Sequence, residues 1–115
     1  MTHVLAVDTL FYMVTIINIK QCPDFNPKLN PKDVYIGRFH RSRYGFFLRS
    51  RWHNPFKVGK DGSREGVIEL YKSYVLSHPE LASSLHELKN KRLGCWCKPE
   101  PCHGDALVEL IEHLG

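Results

Sequence analysis

Arg92-Leu93-Gly94-Cys95-Trp96-Cys97-Lys98-Pro99-Glu100-Pro101-Cys102-His103-Gly104-Asp105 is the stretch around which the chain is read. It holds three of the four cysteines and one of the seven histidines. Arg92 to Cys97 has the form of a short buried strand. Two prolines limit the loop that follows, and the last helix opens near His103 or Gly104. In an open α/β sheet, ligands collect where the carboxyl end of a strand faces a helix N-terminus. The sequence puts its soft, ionisable side chains at such a point.

On a strand, Cys95 and Cys97 share one face and Trp96 takes the other. Their Cα atoms would stand about 6.5–7 Å apart, the upper limit for a disulfide. Pro99 and Pro101 stiffen the loop and can bring Cys102-His103 back over the strand end. Three readings of this corner stay open. In the first, Cys95, Cys97, Cys102 and His103 are metal ligands, the number and type that a structural Zn2+ takes; an iron–sulfur cluster is the lesser form of this reading. In the second, Cys102 is a reactive thiol, its thiolate favoured by the helix N-terminus. His103 is then its base, and Asp105 orients His103 or transfers protons itself. The free N–H groups of that helix would hold a phosphate or an oxyanion. In the third, the cysteines and His103 only pack, and Asp105 only complements the helix dipole.

The 115 residues suit one domain, 1–115, with residues 1–12 a candidate N-terminal extension ahead of Met13. Hydrophobic residues at 43% and charged residues at 24% exclude a disordered or fibrous chain. The net charge of +4 fits a nucleotide or nucleic-acid partner without demanding one. Crowded cysteines argue against a secreted disulfide scaffold. The apolar run from Val4 to Ile19 is broken by Asp8 and Asn18, has no basic leader, and is too polar for a membrane span. The expectation is a reduced, cytoplasmic protein without a membrane partner.

Val4–Leu10 and Met13–Lys20 are rich in Val, Ile, Thr and aromatics, and Met13–Lys20 reads as a strand apolar enough to be buried on both faces. Three prolines make Cys22–Pro31 a loop, with Cys22 a free thiol. Val34–Arg38 reads as another strand. Arg38, Arg41, Arg43, Arg49 and Arg51 then alternate with Tyr44, Phe46, Phe47 and Trp52 in a long loop. Such interleaving serves phosphates and stacked bases, or else an exposed loop whose aromatics tuck into the core. Ser63 is the N-cap of a helix over Arg64–Leu76. A second helix spans Pro79–Lys89, with Asn90 as its stop. Leu107, Leu110, Ile111 and Leu114 line one face of the last helix. The order of elements predicts an α/β fold: a small sandwich with a short, mainly parallel sheet and three to four helices.

Several of these motifs resemble a small uncharacterised family of bacteria, phages and large DNA viruses, catalogued as a domain of unknown function, family 4326. The resemblance runs from about Val34 to Leu110. It rests on Val34-Tyr35-Ile36-Gly37-Arg38, on Asn54-Pro55-Phe56 with Gly59-Lys60-Asp61-Gly62 and Arg64, and above all on Leu93-Gly94-Cys95-Trp96-Cys97-Lys98-Pro99 and Cys102-His103-Gly104-Asp105. It implies that Arg38, Asn54, Cys95, Cys97, Cys102, His103 and Asp105 face one site. It implies no reaction. This chain departs from the pattern at His53, where the family commonly has Gly, and in a longer Phe39–Arg51 segment.

Two main functions compete. One is an enzyme acting on a nucleotide or nucleic acid: Arg38 and Arg64 hold phosphate, Asn54 fixes a base or sugar edge, and Cys102, His103 and Asp105 carry the chemistry. The other is a zinc-stabilised module that binds nucleic acid or protein without catalysis. A small accessory protein that blocks a host protein through the aromatics of Tyr44–Phe47 is the third.

Overall fold

The computed structural model of the protein describes residues 13–114. Five strands are formed: β1 (Thr15–Asn18), β2 (Asp33–Tyr35), β3 (His40–Ser42), β4 (Gly45–Phe47) and β5 (Arg92–Cys95). The α-helices are α1 (Arg64–Leu76), α2 (Pro79–Ala82) and α3 (His103–Leu114), with 3-10 turns at Ile19–Gln21 and Leu85–Leu88. The Val4–Leu10 run and the extension over residues 1–12 lie outside the described residues.

The main sheet is mixed with helices as expected, and all three of its strands are parallel, in the order β1-β5-β2. The strand carrying the cysteines is therefore the central one. Leu93 and Cys95 face the helices, where they join Ile36, Tyr71, Val75, Leu107 and Ile111 in the principal core. Gly94 faces the other way. A Cβ there would stand 2.4 Å from the Phe25 ring, so only glycine lets that ring lie on the sheet. Phe25, Ile19 and Tyr35 form a second, smaller core, with Phe47 and Trp96 packed against it. Strand alternation thus divides Cys95-Trp96-Cys97 between the two cores.

Helix α1 starts where its cap dictates: the Ser63 hydroxyl accepts the Gly66 N–H at 3.0 Å. Other elements differ from the sequence reading. β1 stops at Asn18, whose side chain accepts the Lys20 N–H at 2.9 Å and turns the chain into a 3-10 turn. It is also an edge strand, half-buried rather than covered on both faces. The single helix expected over Pro79–Lys89 is split. Ser84 bonds back to the Glu80 carbonyl at 2.8 Å, and the chain tightens into 3-10 geometry at Leu85. Asn90 ends the segment with φ of 62°.

The largest departure lies in the basic loop. His40–Ser42 and Gly45–Phe47 form an antiparallel hairpin, His40 opposite Phe47. Gly45, at φ 141°, supplies the backbone that the tight turn needs.

At the amino end of the sheet, Arg92 grips Asp33 on the neighbouring strand. Its Nε and Nη2 lie 2.8 and 2.9 Å from the two carboxylate oxygens. The Asp33 side chain is inaccessible to solvent. The Arg92 hydrogen bonds first, and the Asn26 N–H after them, hold its carboxyl below its ordinary range despite burial. The unfolded chain then binds the proton first as pH falls. The pair's contribution is therefore complete above the ordinary carboxylate range and is lost from about pH 4 downward. Asp33→Ala is expected to cost about 3 kcal/mol in a denaturant melt at pH 7, and to flatten the acid limb of the stability–pH curve. An unchanged acid limb would assign it to other carboxylates.

Candidate functional site

The chain leaves β5 at Cys95 and makes a narrow loop before α3. The buried Cys95 sulfur accepts backbone N–H groups from Cys97 and Lys98. Asn18 donates from Nδ2 to the Lys98 carbonyl at 2.7 Å and ties this loop to β1. The Lys98–Pro99 peptide is cis. Cys102 then caps α3. Its sulfur accepts the Gly104 N–H, while the Asp105 carboxylate accepts the Cys102 N–H at 3.0 Å. This is a reciprocal capping arrangement with sulfur in the usual place of a hydroxyl.

The loop brings three thiols together. Cys102 Sγ lies 3.8 Å from Cys95 Sγ and donates toward it, and it is also within hydrogen-bonding reach of Cys97. These contacts, then burial, push the Cys102 thiol up. Cys97 is drawn down to about 6, first by the Cys102 S–H and, against burial, by Arg64 and Lys98. Cys95 is drawn down to about 7, again first by Cys102. One S–H serves one sulfur at a time, and two thiolates at this separation repel. A negative charge on the cluster is therefore confined to one sulfur. We place it on Cys97, which has the two cations beside it. Cys97 is also half-buried, whereas Cys102 is only 3% exposed. The sequence reading offers Cys102 as a reactive thiol; in the structure Cys102 is buried against Cys95, within reach of Cys97, and its thiol is pushed up.

His103 does not join the thiols. Its Nε2 lies 2.7 Å from the Ile36 carbonyl, which can only accept, so this nitrogen carries the proton. Its ring meets Tyr71 edge-on at 4.9 Å. Burial holds its pKa down to about 4, so it is neutral in the physiological range. The four-ligand arrangement of Cys95, Cys97, Cys102 and His103 is accordingly not assembled. Among the described residues no group of three or more His, Cys, Asp or Glu is placed to hold a metal ion. Asp105 likewise turns away from His103. It takes the Lys98 ammonium at 2.6 Å and the capping N–H of Cys102.

A cavity of about 440 Å³ opens at the carboxyl end of β5. Arg38, Asn54, Arg64, Cys95, Cys97, Cys102 and His103 all line it; Asp105 does not. Arg38 is strapped by Nη2 to the Asn54 and Phe56 carbonyls, at 2.7 and 3.0 Å. Arg64 reaches across from the first turn of α1 to the Pro101 carbonyl at 3.2 Å and hydrogen-bonds Cys97. The Asn54 amide ties its loop to α1: Oδ1 accepts the Phe56 N–H at 2.9 Å, and Nδ2 approaches the Val67 carbonyl.

Sequence reasoning missed the aromatic wall. His40 stacks on Trp96, with centroids 3.9 Å apart and planes at 25°. Trp96 Nε1 donates to the Tyr35 hydroxyl at 2.8 Å, and that hydroxyl donates to the Arg38 carbonyl. No local pattern marks His40 for this, because its partner is 56 positions away in the sequence. The interleaved aromatics of the basic segment were the available signal.

The fold and the site define a class: a mixed α/β domain with a thiol-bearing, arginine-lined cavity where the central parallel strand meets a helix. The chain belongs to the domain of unknown function family DUF4326, whose family model matches residues 20–113. It is 38% identical over 88 residues to an uncharacterised protein of Acanthamoeba polyphaga mimivirus, covering 70% of this chain and 67% of that protein. It is 45% identical over 62 residues to an uncharacterised 12.4 kDa protein from the nrdA-td intergenic region of Enterobacteria phage T4, covering 50% of this chain and 57% of that one. No solved structure matches it. Among the described residues no helix is long and apolar enough to cross a membrane.

Limiting iodoacetamide is expected to label Cys97 before Cys95, Cys102 or Cys22, with a rate that rises through a midpoint near pH 6. Peptide mass spectrometry gives the order. Cys102→Ala removes the S–H donor and should move that midpoint upward. First labelling at Cys102 would overturn the assignment of the thiolate.

Proposed function

We propose that the protein is an enzyme acting on a nucleotide or nucleic acid, with Cys97 as its nucleophile. The observation that carries this is the convergence in one cavity of a thiolate-forming cysteine, two arginines and a stacked aromatic wall. A thiolate next to cations is the reactive form of cysteine, and covalent catalysis needs that form. Arg38 and Arg64 suit phosphate oxygens, which planar guanidinium groups bind in pairs. The Trp96–His40 stack presents a flat surface for a base. The cavity volume lies within the range of small-ligand sites. Cys102 maintains the charge on Cys97, Asn18 and Lys98 hold the loop, and Asp105 fixes the helix start.

The test is a panel of nucleotides and short oligonucleotides incubated with the protein, followed by chromatography of products and intact-mass analysis. The expected result is turnover or a covalent adduct that Cys97→Ser removes, with a loss on the order of 10³-fold. Arg64→Ala should weaken ligand binding by about 10- to 100-fold, the scale of a hydrogen bond to a charged group. Two results would overturn the proposal. One is a Cys97→Ser protein that processes every active ligand as the wild type does. The other is about one zinc per chain with protected thiols, which would favour the zinc-stabilised module.

A further inference from the structure

The cavity does not end at its aromatic wall. Phe39 and His40 line it, and the same strand runs on into the β3–β4 hairpin. Phe46, outside the cavity lining, meets Phe39 edge-on at 5.7 Å, yet Phe39 and Phe46 stay 59% and 50% exposed. Tyr44, at the turn, carries Arg43 at 5.0 Å and Lys20 at 6.0 Å over its ring, and stands 6.4 Å from Trp96. A row of ring surfaces therefore leads from the hairpin tip to the cavity.

The charge around that row is one-sided. Val34 to Lys60 contains seven of the sixteen Lys and Arg and none of the twelve Asp and Glu. The rest of the chain is left with nine cations against twelve anions, so it is net negative. The chain's whole positive excess lies within this segment. Arg41 and Arg43 on the hairpin and Arg49 just after it are exposed, and none of the side-chain ion pairs among the described residues engages them. A surface that keeps aromatic rings in water beside unneutralised arginines matches a polyanion with flat, unpaired bases. A duplex hides those bases in its stack, whereas a single strand can lay them on the rings.

We infer that the β3–β4 hairpin is a binding platform for single-stranded nucleic acid, which it feeds toward the cavity. This rests on the nucleotide-directed reading of the cavity and narrows its substrate from mononucleotides to polynucleotide strands. Phe39, Phe46 and Tyr44 stack bases, Arg41, Arg43 and Arg49 meet the phosphates, and the Trp96–His40 wall receives the base that enters.

The experiment is fluorescence anisotropy of the full chain with labelled oligothymidylate and oligouridylate of about ten nucleotides, against a duplex and against thymidine monophosphate. The expected result is binding of the strands well above that of the duplex and the monophosphate. Its log affinity should fall against log salt with a slope of about −2, as for three phosphates on a single strand. Phe39→Ala with Phe46→Ala should cost at least about 10-fold. Arg41→Ala with Arg43→Ala should weaken binding and reduce the slope by about 1.4. These arginines are exposed, so that variant keeps the test valid even where the aromatic variant melts early. The inference is overturned by strands that bind no better than the monophosphate, by equal binding of duplex, or by hairpin variants that leave affinity and slope unchanged. It is equally overturned by sedimentation showing that the hairpin pairs two copies of the chain. Cys97→Ser separates the two proposals: it should abolish turnover and leave strand binding intact. Strand binding that depends on the hairpin, without any adduct or turnover, removes the catalytic reading alone.

Discussion

The molecule depends on β5 being hydrogen-bonded along both of its edges. Thr15 to Asn18 pairs with one side of it and Asp33 to Tyr35 with the other, in parallel. Neither edge strand can form this sheet without it. The Asp33–Arg92 pair locks the amino end, where partnering a carboxylate with no solvent access is essential. The carboxyl end is left open, and there the backbone turns its N–H groups onto the Cys95 sulfur. One end of the strand is thus closed by charge pairing, and the other is free for chemistry.

The division of labour among the three cysteines follows from that geometry. Alternation sends Cys95 and Cys97 toward the same core, but only Cys95 remains in the strand. Cys97 lies two residues into the loop, where Arg64 and Lys98 reach it. Cys102 caps the helix, and its sulfur lies 3.8 Å from that of Cys95 and within reach of Cys97. A low-dielectric surrounding strengthens a hydrogen bond between such sulfurs. The buried thiol gains a partner and the half-buried one gains a stabilised charge. The same corner engages His103 and Asp105 with backbone groups, the Ile36 carbonyl and the Cys102 N–H.

The aromatic residues connect this corner to the surface. Trp96 faces away from the cysteines and anchors the second core through Tyr35 and Phe47. His40 lies across it. The hairpin is therefore positioned by a residue of the very loop that carries Cys97. Movement of one would disturb the other, so the hairpin and the loop that carries Cys97 are parts of one structure.

Local signals in the sequence determined several features outright. Ser63 before a helical period fixed the start of α1, because a capping hydroxyl acts within three residues. The mainly parallel α/β fold followed from the order of apolar segments, and the strand–loop–helix corner from the spacing of cysteines and prolines. The convergence of Arg38, Asn54, Arg64 and the thiols on one corner was likewise foreshadowed by the motifs. Tertiary structure alone decided the rest. The hairpin has three-residue strands, one of them His-Arg-Ser, with no apolar alternation to announce it; contact with Trp96 holds it. Which thiol carries charge depended on distances between residues 95, 97 and 102 and on Arg64 arriving from another helix. His103 was separated from the cysteines by the Ile36 carbonyl, a partner 67 positions away. Sequence encodes what neighbouring residues do to one another, whereas the protonation and exposure of a side chain are set by whichever distant groups the fold places beside it.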